Sequence, residues 1–219
     1  GGGSMFVRDR MSSPPVTIAA DTPLQVALNL MHEHRFRRLP VVDEKGRLVG
    51  IVSERDLLYA SPPPATLLSG LELNHFLTER RVDEIMTRNV LTATPDTFVE
   101  DAARLMVDNK VGGLPVVDAD NQVVGVITET DVFRAFIELY RAGHAGLYLT
   151  LKVPDRTGLM AELSKAVLGL GGEIVGLSSS YDEASGKYRL VIKGQEIDKE
   201  RIVALLVSLG YDVTEVCEV

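Results

Sequence analysis

Residues 39–56 read LPVVDEKGRLVGIVSERD, and residues 114–131 read LPVVDADNQVVGVITETD. Sliding 16–58 onto 91–133 needs no gap. About a third of the positions are then identical, far above the roughly one in twenty of unrelated segments. Thr17/Thr92, Asp21/Asp96, Gly50/Gly125, Glu54/Glu129 and Asp56/Asp131 match, and Met11/Met86 falls at the same offset. So long a period in only two copies predicts a pseudo-symmetric pair of small units rather than an open solenoid.

The chain has 219 residues, enough for one or two domains, and is 45% hydrophobic and 25% charged, as soluble globular proteins are. Gly1, Gly2, Gly3 and Ser4 read as an expression scar ahead of Met5. No run approaches the roughly 18 apolar residues of a membrane-spanning helix, and no signal-peptide core is seen. The single cysteine, Cys217, excludes an intrachain disulfide and makes the cytoplasm the expected compartment. A formal net charge of −8 disfavours sequence-independent nucleic-acid binding, which needs clustered Lys and Arg. A local basic pocket for a small anion is compatible with it.

Each repeat reads strand, helix, strand, strand, helix, an α/β pattern. Val16, Thr17 and Ile18 form a short β-branched run, a strand signal. Asp21-Thr22-Pro23 reads as a helix start with a small polar cap and proline in the first turn. Leu24, Ala27, Leu28, Met31 and His34 follow at helical spacing. The next strand begins at Leu39, turns at 43–46 and returns over 48–52. Ser53 opens a second helix, with Leu57 and Leu58 expected inward. In the second repeat the first helix presents Val99, Ala102, Ala103 and Met106, and the last presents Val132, Phe133, Phe136 and Ile137. Three consecutive prolines at 62–64 end the first repeat. Within the connector at 62–81, Leu67, Leu68, Leu71, Leu73, Phe76 and Leu77 read as one or two short helices. The repeats are therefore expected at 5–61 and 82–140. A small, flexible stretch at 141–146 marks a domain boundary, and 147–219 follow the different order β-α-β-β-α-β, the split ferredoxin-like arrangement.

Both repeats share a second feature. A glycine opens a hydrophobic strand, a hydroxyl residue (Ser53 or Thr128) ends it, and an Asp (Asp56 or Asp131) follows three positions later. One reading is a capping box at a helix start. The other is a ligand site: hydroxyl and helix N-terminal amides can hold an anionic group, and an ionised carboxylate can accept from a ribose diol.

Two such stretches, each joined to a Leu-Pro-Val-Val-Asp strand, resemble a tandem pair of cystathionine-β-synthase (CBS) domains, a Bateman module, over residues 8–139. The resemblance implies a cleft for an adenosine compound: AMP, ADP, ATP or S-adenosylmethionine. By the same resemblance Asp56 and Asp131 hold ribose hydroxyls, Ser53 and Thr128 lie near phosphate or ribose beside Thr130, and Ile51 and Val126 flank adenine. The lead-ins at 11–16, with Met11 and Val16, and at 86–91, with Met86 and Leu91, complete the pockets, as do the segments just before Pro40 and Pro115. There the repeats differ: Arg37 and Arg38 in the first, Gly112 and Gly113 in the second. Arginine suits phosphate because its planar fork donates in pairs. Two inequivalent pockets are expected, with phosphate drawn to the arginine side; a solvated or interface cluster at Arg35, Arg37 and Arg38 is the alternative.

The stretch Val153-Pro-Asp-Arg-Thr-Gly-Leu159 resembles the strand-to-helix loop of ACT domains, over residues 147–219. That family implies amino-acid contacts from Asp155, Arg156, Thr157, Gly158 and Leu159; a loop that only caps its helix and mediates dimerisation is the other reading. With its proline-rich connector, the whole arrangement resembles the acetoin-utilisation protein B-like family of bacterial CBS–ACT proteins, which suggests control of carbon-source use. No GxSxG, Walker loop or Cys/His nucleophile pattern is present, and His32, His34, His75 and His144 have no metal-site spacing. Cys217 is expected to be packed.

The expected function is that of a cytoplasmic, non-enzymatic regulator and homodimer, with no required cofactor. It would bind an adenosine compound and pass the signal to a partner protein. A ligand-free scaffold is the competing reading, and an enzyme the third.

Overall fold

The computed structural model describes residues 5–60, 78–139, 145–154, 157–183 and 185–219. The predicted connector helices at 67–77 lie outside them, as do Asp155 and Arg156. The chain divides into two compact units, Gly1–Ala135 and Phe136–Val219.

The first repeat contains β1 (Ile18–Ala19), α1 (Leu24–His34), β2 (Arg38–Val42), β3 (Leu48–Ser53) and α2 (Glu54–Ala60). β1 runs parallel to β2 and β2 antiparallel to β3, with Ile18 opposite Val41 and Val41 opposite Gly50. The second repeat contains α3 (Val99–Asn109), β4 (Gly113–Val117), β5 (Val123–Thr128) and α4 (Glu129–Leu139), with β4 and β5 antiparallel. Its expected first strand contracts to one parallel bridge, Ala93 with Val116. Thr97 Oγ1 takes the Thr94 amide in a local turn, and Pro95 has no N–H to extend a ladder.

α1 starts differently from its expected Asp-Thr-Pro cap. Pro23 sits at the N-cap in extended conformation, and no side chain caps the helix. A backbone carbonyl does the work instead: the Leu24 amide donates to Arg80 O at 2.9 Å, and in the second repeat Val99 donates to Met5 O at 2.7 Å. These carbonyls satisfy first-turn amides that have no partner within the helix. Both first helices end with a cation in left-handed conformation, Arg35 (φ 57°) and Lys110 (φ 55°).

The core of the first repeat joins Leu39, Val41 and Val52 of the sheet to Leu24, Ala27, Met31 and Leu57 of the helices, with Val82 and Met86 added from the second lead-in. Each large side chain so buried contributes roughly 1.5–3 kcal/mol of transfer free energy. Four inward assignments fail. His34 is exposed and stacks on Phe36, with ring centroids 5.3 Å apart. Leu58 and Phe133 are each 64% exposed. Successive helical residues point about 100° apart, so Leu57 and Val132 take the core and their followers face out. Ile137 is exposed on the same grounds, and Ala135 is the buried residue instead.

The two repeats exchange their lead-ins. Ser12 pairs with Val126 of β5, and Thr87 with Ile51 of β3. Met11 Sδ lies over Gly125 and Met86 Sδ over Gly50, each 2.4 Å from where a Cβ would stand. The hairpin turns also meet: Leu48 N–H donates to Asn121 O and Val123 N–H to Gly46 O.

The C-terminal unit carries β6 (Leu147–Val153), α5 (Leu159–Gly169), β7 (Glu173–Asp182), β8 (Lys187–Gln195), α6 (Lys199–Ser208) and β9 (Asp212–Glu218). The sheet order is β7-β8-β6-β9, every neighbour antiparallel. This is the split β-α-β-β-α-β topology. Leu149, Leu151, Leu190 and Ile192 face Leu163, Val167, Ile202 and Leu206 of the helices. Cys217, expected to be packed, is exposed. It lies on β9, an edge strand of the sheet.

Candidate functional site: two cavities between the repeats

The two matched Asp residues line two cavities in the N-terminal unit, and each cavity is built from both repeats. The first, about 440 Å³, holds Ile51, Ser53 and Asp56. The second lead-in closes it through Thr87, Asn89, Val90 and Leu91, and the opposite repeat adds Lys110, Gly112 and Gly113. The second, about 500 Å³, holds Val126, Thr128, Thr130 and Asp131. Ser12, Pro14, Pro15 and Val16 close it, with His34, Arg35 and Phe36 from the opposite repeat. Both volumes fall within the usual range for small-molecule sites.

The hydroxyl and the carboxylate interlock alike in both. Asp56 Oδ2 accepts from Ser53 N–H at 2.8 Å and Ser53 Oγ–H at 2.7 Å, and the Asp56 amide reaches Ser53 Oγ at 3.2 Å. Asp131 Oδ2 accepts from Thr128 N–H at 2.9 Å and Oγ1–H at 2.6 Å. These are reciprocal capping boxes that stand in cavity walls. The bonds run through Oδ2, so Oδ1 of each carboxylate stands outside the interlock, and that of Asp131 lies 3.7 Å from Arg134 Nη1. Capping and ligand contact therefore require the same side chains and do not compete.

Met11 and Met86 stand elsewhere. Neither lines either of these two cavities; each packs on the glycine of the opposite strand and anchors the lead-in behind the wall. The expected one-sided arginine pair also differs. Arg37 and Arg38 line both cavities, because the missing side chains at Gly112 and Gly113 let an arginine reach across between them. Arg38 Nη1 donates to Gly113 O at 3.2 Å. Burial lowers its pKa, opposed by the negative charge of Glu129, and the neighbouring Arg37 pushes the same way as burial. It stays protonated throughout, as guanidinium does in proteins.

Sequence reading missed Lys110, His34, Phe36 and Glu129, while Asn89 falls within the lead-in at 86–91. The repeat itself held one signal: Lys110 matches Arg35, and each stands at a helix end turned into the opposite repeat's cavity.

In the C-terminal unit Gly158 and Leu159 line a further cavity of about 440 Å³ with Pro154, Ser179 and Tyr188. Gly158 is the N-cap of α5 at φ 87°, and Thr157 is exposed. Among the described residues no group of three or more His, Cys, Asp or Glu could hold a metal, and no helix is long and apolar enough to cross a membrane.

The CBS domain family model matches residues 7–62 and 82–138. A CBS domain-containing protein of Dictyostelium discoideum is 36% identical over 135 residues, covering 62% of this chain and 93% of that protein. The L-aspartate semialdehyde sulfurtransferase of Methanocaldococcus jannaschii is 36% identical over 131 residues, 60% of this chain, but the match spans only 23% of the enzyme. Among solved structures, the CBS domain pair of protein MJ0100 in complex with 5′-methylthioadenosine and S-adenosyl-L-methionine aligns at TM-score 0.50 and 36% identity, over 60% of this chain and 94% of that one. CBSX2 of Arabidopsis thaliana in complex with AMP aligns at TM-score 0.52 and 33% identity, over 62% and 98%. An acetoin utilization protein (AcuB) structure from Vibrio cholerae aligns at TM-score 0.51 and 33% identity, over 61% and 91%.

Proposed function

Because this chain belongs to the CBS-domain family, with a tandem pair of repeats, we propose that it is a non-enzymatic regulator whose two inter-repeat cavities bind an adenosine-containing ligand. One observation carries the reading. Each cavity presents an interlocked hydroxyl–aspartate pair whose second carboxylate oxygen stands outside the interlock, an apolar strand residue (Ile51 or Val126) and arginine together. A diol acceptor, a flat apolar wall and a cation are what ribose, adenine and phosphate each require. The complexes of related CBS pairs with AMP and with S-adenosyl-L-methionine support AMP, ADP, ATP or S-adenosylmethionine as the candidates. Ligand binding would favour one arrangement of the repeats over another, which requires a difference in affinity between the two states.

The C-terminal unit reads as an ACT domain, supported by its β-α-β-β-α-β topology and by the cavity at Gly158 and Leu159. An amino acid bound there through Thr157, Gly158 and Leu159, together with Asp155 and Arg156, would supply a second input. A cytoplasmic setting, a homodimer, a regulated protein partner and a role in acetoin or other carbon-source use belong to the same proposal. The exposed Leu58 and Phe133, at matching positions, favour self-association.

The test is calorimetric titration of ligand-stripped protein with AMP, ADP, ATP and S-adenosylmethionine, with Asp56→Ala and Asp131→Ala alongside. Saturable binding, with one site weakened in each variant, is the expected result. Folded protein that binds none of the four would overturn the sensor reading and leave a ligand-free scaffold.

A further inference from the structure

Arg38 stands where the pair departs from its own symmetry. Its match in the second repeat is Gly113, and its side chain reaches that residue, donating from Nη1 to the Gly113 carbonyl. The glycines leave the necessary space. A Cβ on Gly112 would lie 3.0 Å from Nη2, and one on Gly113 would lie 3.0 Å from Nη1. The guanidinium is half-buried, and the carboxylates whose charges act on it come from both cavities: Glu129 from the second and Asp56 from the first. Among the described residues its hydrogen bonding is the single contact to Gly113, which leaves most of its five donors for other partners.

We infer that Arg38 couples the two cavities antagonistically: a phosphate bound in one draws the guanidinium to itself and leaves the other with one cation fewer, with Lys110 still in the first and Arg35 in the second. The inference rests on the proposal that both cavities take adenosine ligands, and adds how one affects the other. The physical reason is geometric. A guanidinium is a rigid planar fork that grips one phosphate with two parallel bonds, so it cannot grip two phosphates in opposite cavities equally well. Two phosphates sharing it also repel each other. Arg37 lines both cavities too, but it is exposed, where solvent and salt screen its charge. Coupling between sites is reciprocal, so the penalty is the same whichever cavity fills first. An uncharged adenosine ligand makes no demand on the fork and fills both cavities independently.

The experiment compares AMP with adenosine by calorimetry in the wild type and in two variants with one cavity closed, Ile51→Trp for the first and Val126→Trp for the second. Neither substitution changes a charge. For independent sites, the two single-cavity association constants multiply to the product of the wild-type stepwise constants. For AMP the wild-type product should fall short by roughly tenfold or more, the size of one lost charge-assisted contact. For adenosine the products should agree. Arg38→Gln should make them agree for AMP as well. One AMP bound per chain beside two adenosines is the limiting case and supports the inference. Agreement for AMP in the wild type, an equal shortfall for adenosine, a shortfall that survives in folded Arg38→Gln, or one molecule bound of each ligand would overturn it. The comparison of AMP with adenosine needs no substitution at Arg38 and overturns the inference where the two ligands behave alike, even if Arg38→Gln does not fold. Binding of neither ligand defeats the sensor reading itself, and the coupling with it.

Discussion

Gly50→Ala adds one methyl group at the point where the second lead-in crosses the first repeat. The added Cβ would stand 2.4 Å from Met86 Sδ, 3.0 Å from Met86 Cγ and 3.2 Å from the Thr87 carbonyl oxygen. Ordinary carbon contacts lie at about 3.5–4.0 Å. The sulfur is thus about an ångström too close, while the carbonyl must give by a few tenths. Met86 is 8% exposed and packs in the core, so it has little room to retreat. This is overpacking, expected to cost about 1–3 kcal/mol. At about 2–4 °C per kcal/mol for a chain of this size, Tm should fall by roughly 2–12 °C. Met86→Ala alone opens a cavity and should cost about 2–5 kcal/mol. In the double variant the new methyl enters space that the sulfur has left. The combined loss should then be smaller than the sum of the single losses by about 1–3 kcal/mol. Urea unfolding of the four proteins measures this. The bridge from Ile51 to Thr87 holds a wall of the first cavity, so AMP binding there should weaken in Gly50→Ala while uncharged adenosine, which fills the cavities independently, keeps its affinity for the second. Strict additivity of the two substitutions, or a Gly50→Ala protein as stable as wild type, would refute the packing argument.

Two further outcomes are expected. Gly46→Ala should cost about 1–2 kcal/mol without any clash, because Gly46 sits at φ 77° with nothing within 4 Å of its missing Cβ; urea midpoints check this, and a neutral result would show that the turn relaxes. Asp43 and Glu84 are both held below their ordinary carboxyl values, Asp43 chiefly by the hydrogen bond from the Arg47 side chain and Glu84 chiefly by the Arg81 backbone N–H. A depressed carboxyl gives stability that is complete above its ordinary value near 4 and is lost as pH falls through the lower folded value. The stability gap between wild type and Asp43→Asn/Glu84→Gln should therefore close as pH is lowered from about 6 to 3 in denaturant titrations. A gap that stays constant would contradict the assignment.

The strands and helices of both repeats were legible because their signals are local. Leu-Pro-Val-Val alternates with a turn and a returning strand, and the second copy checked the first. The Ser53–Asp56 and Thr128–Asp131 pairs were legible for the same reason, three residues apart in one turn of chain. What was lost depends on residues far apart in sequence. The helix caps at Leu24 and Val99 come from the backbone of Arg80 and Met5, and a carbonyl has no side-chain letter to announce it. Met11 and Met86 looked like ligand contacts because they flank the cavities in sequence, but the side chains turn onto glycines of the other repeat. Leu58 and Phe133 extended an apolar run, yet each lies about 100° around its helix from the buried residue before it and faces out. The shared position of Arg38 required knowing that two repeats meet face to face, with glycine opposite arginine.

The exchanged lead-ins bear on how such a pair can evolve. Each repeat borrows a helix cap and a cavity wall from the other, so a single copy is complete only when a second is present. Two separate, identical copies could satisfy that need by assembling about a true twofold axis. They could not hold this arginine. An identical pair would place either two arginines or two glycines opposite each other: two like charges in space for one, or no cation at that position. Gene fusion lifts the constraint, because joining the halves makes their association intramolecular and lets each mutate alone. Arg38 with its facing glycines is thus a trait open only to the fused chain. The loss of exact symmetry made available a half-buried guanidinium common to both cavities.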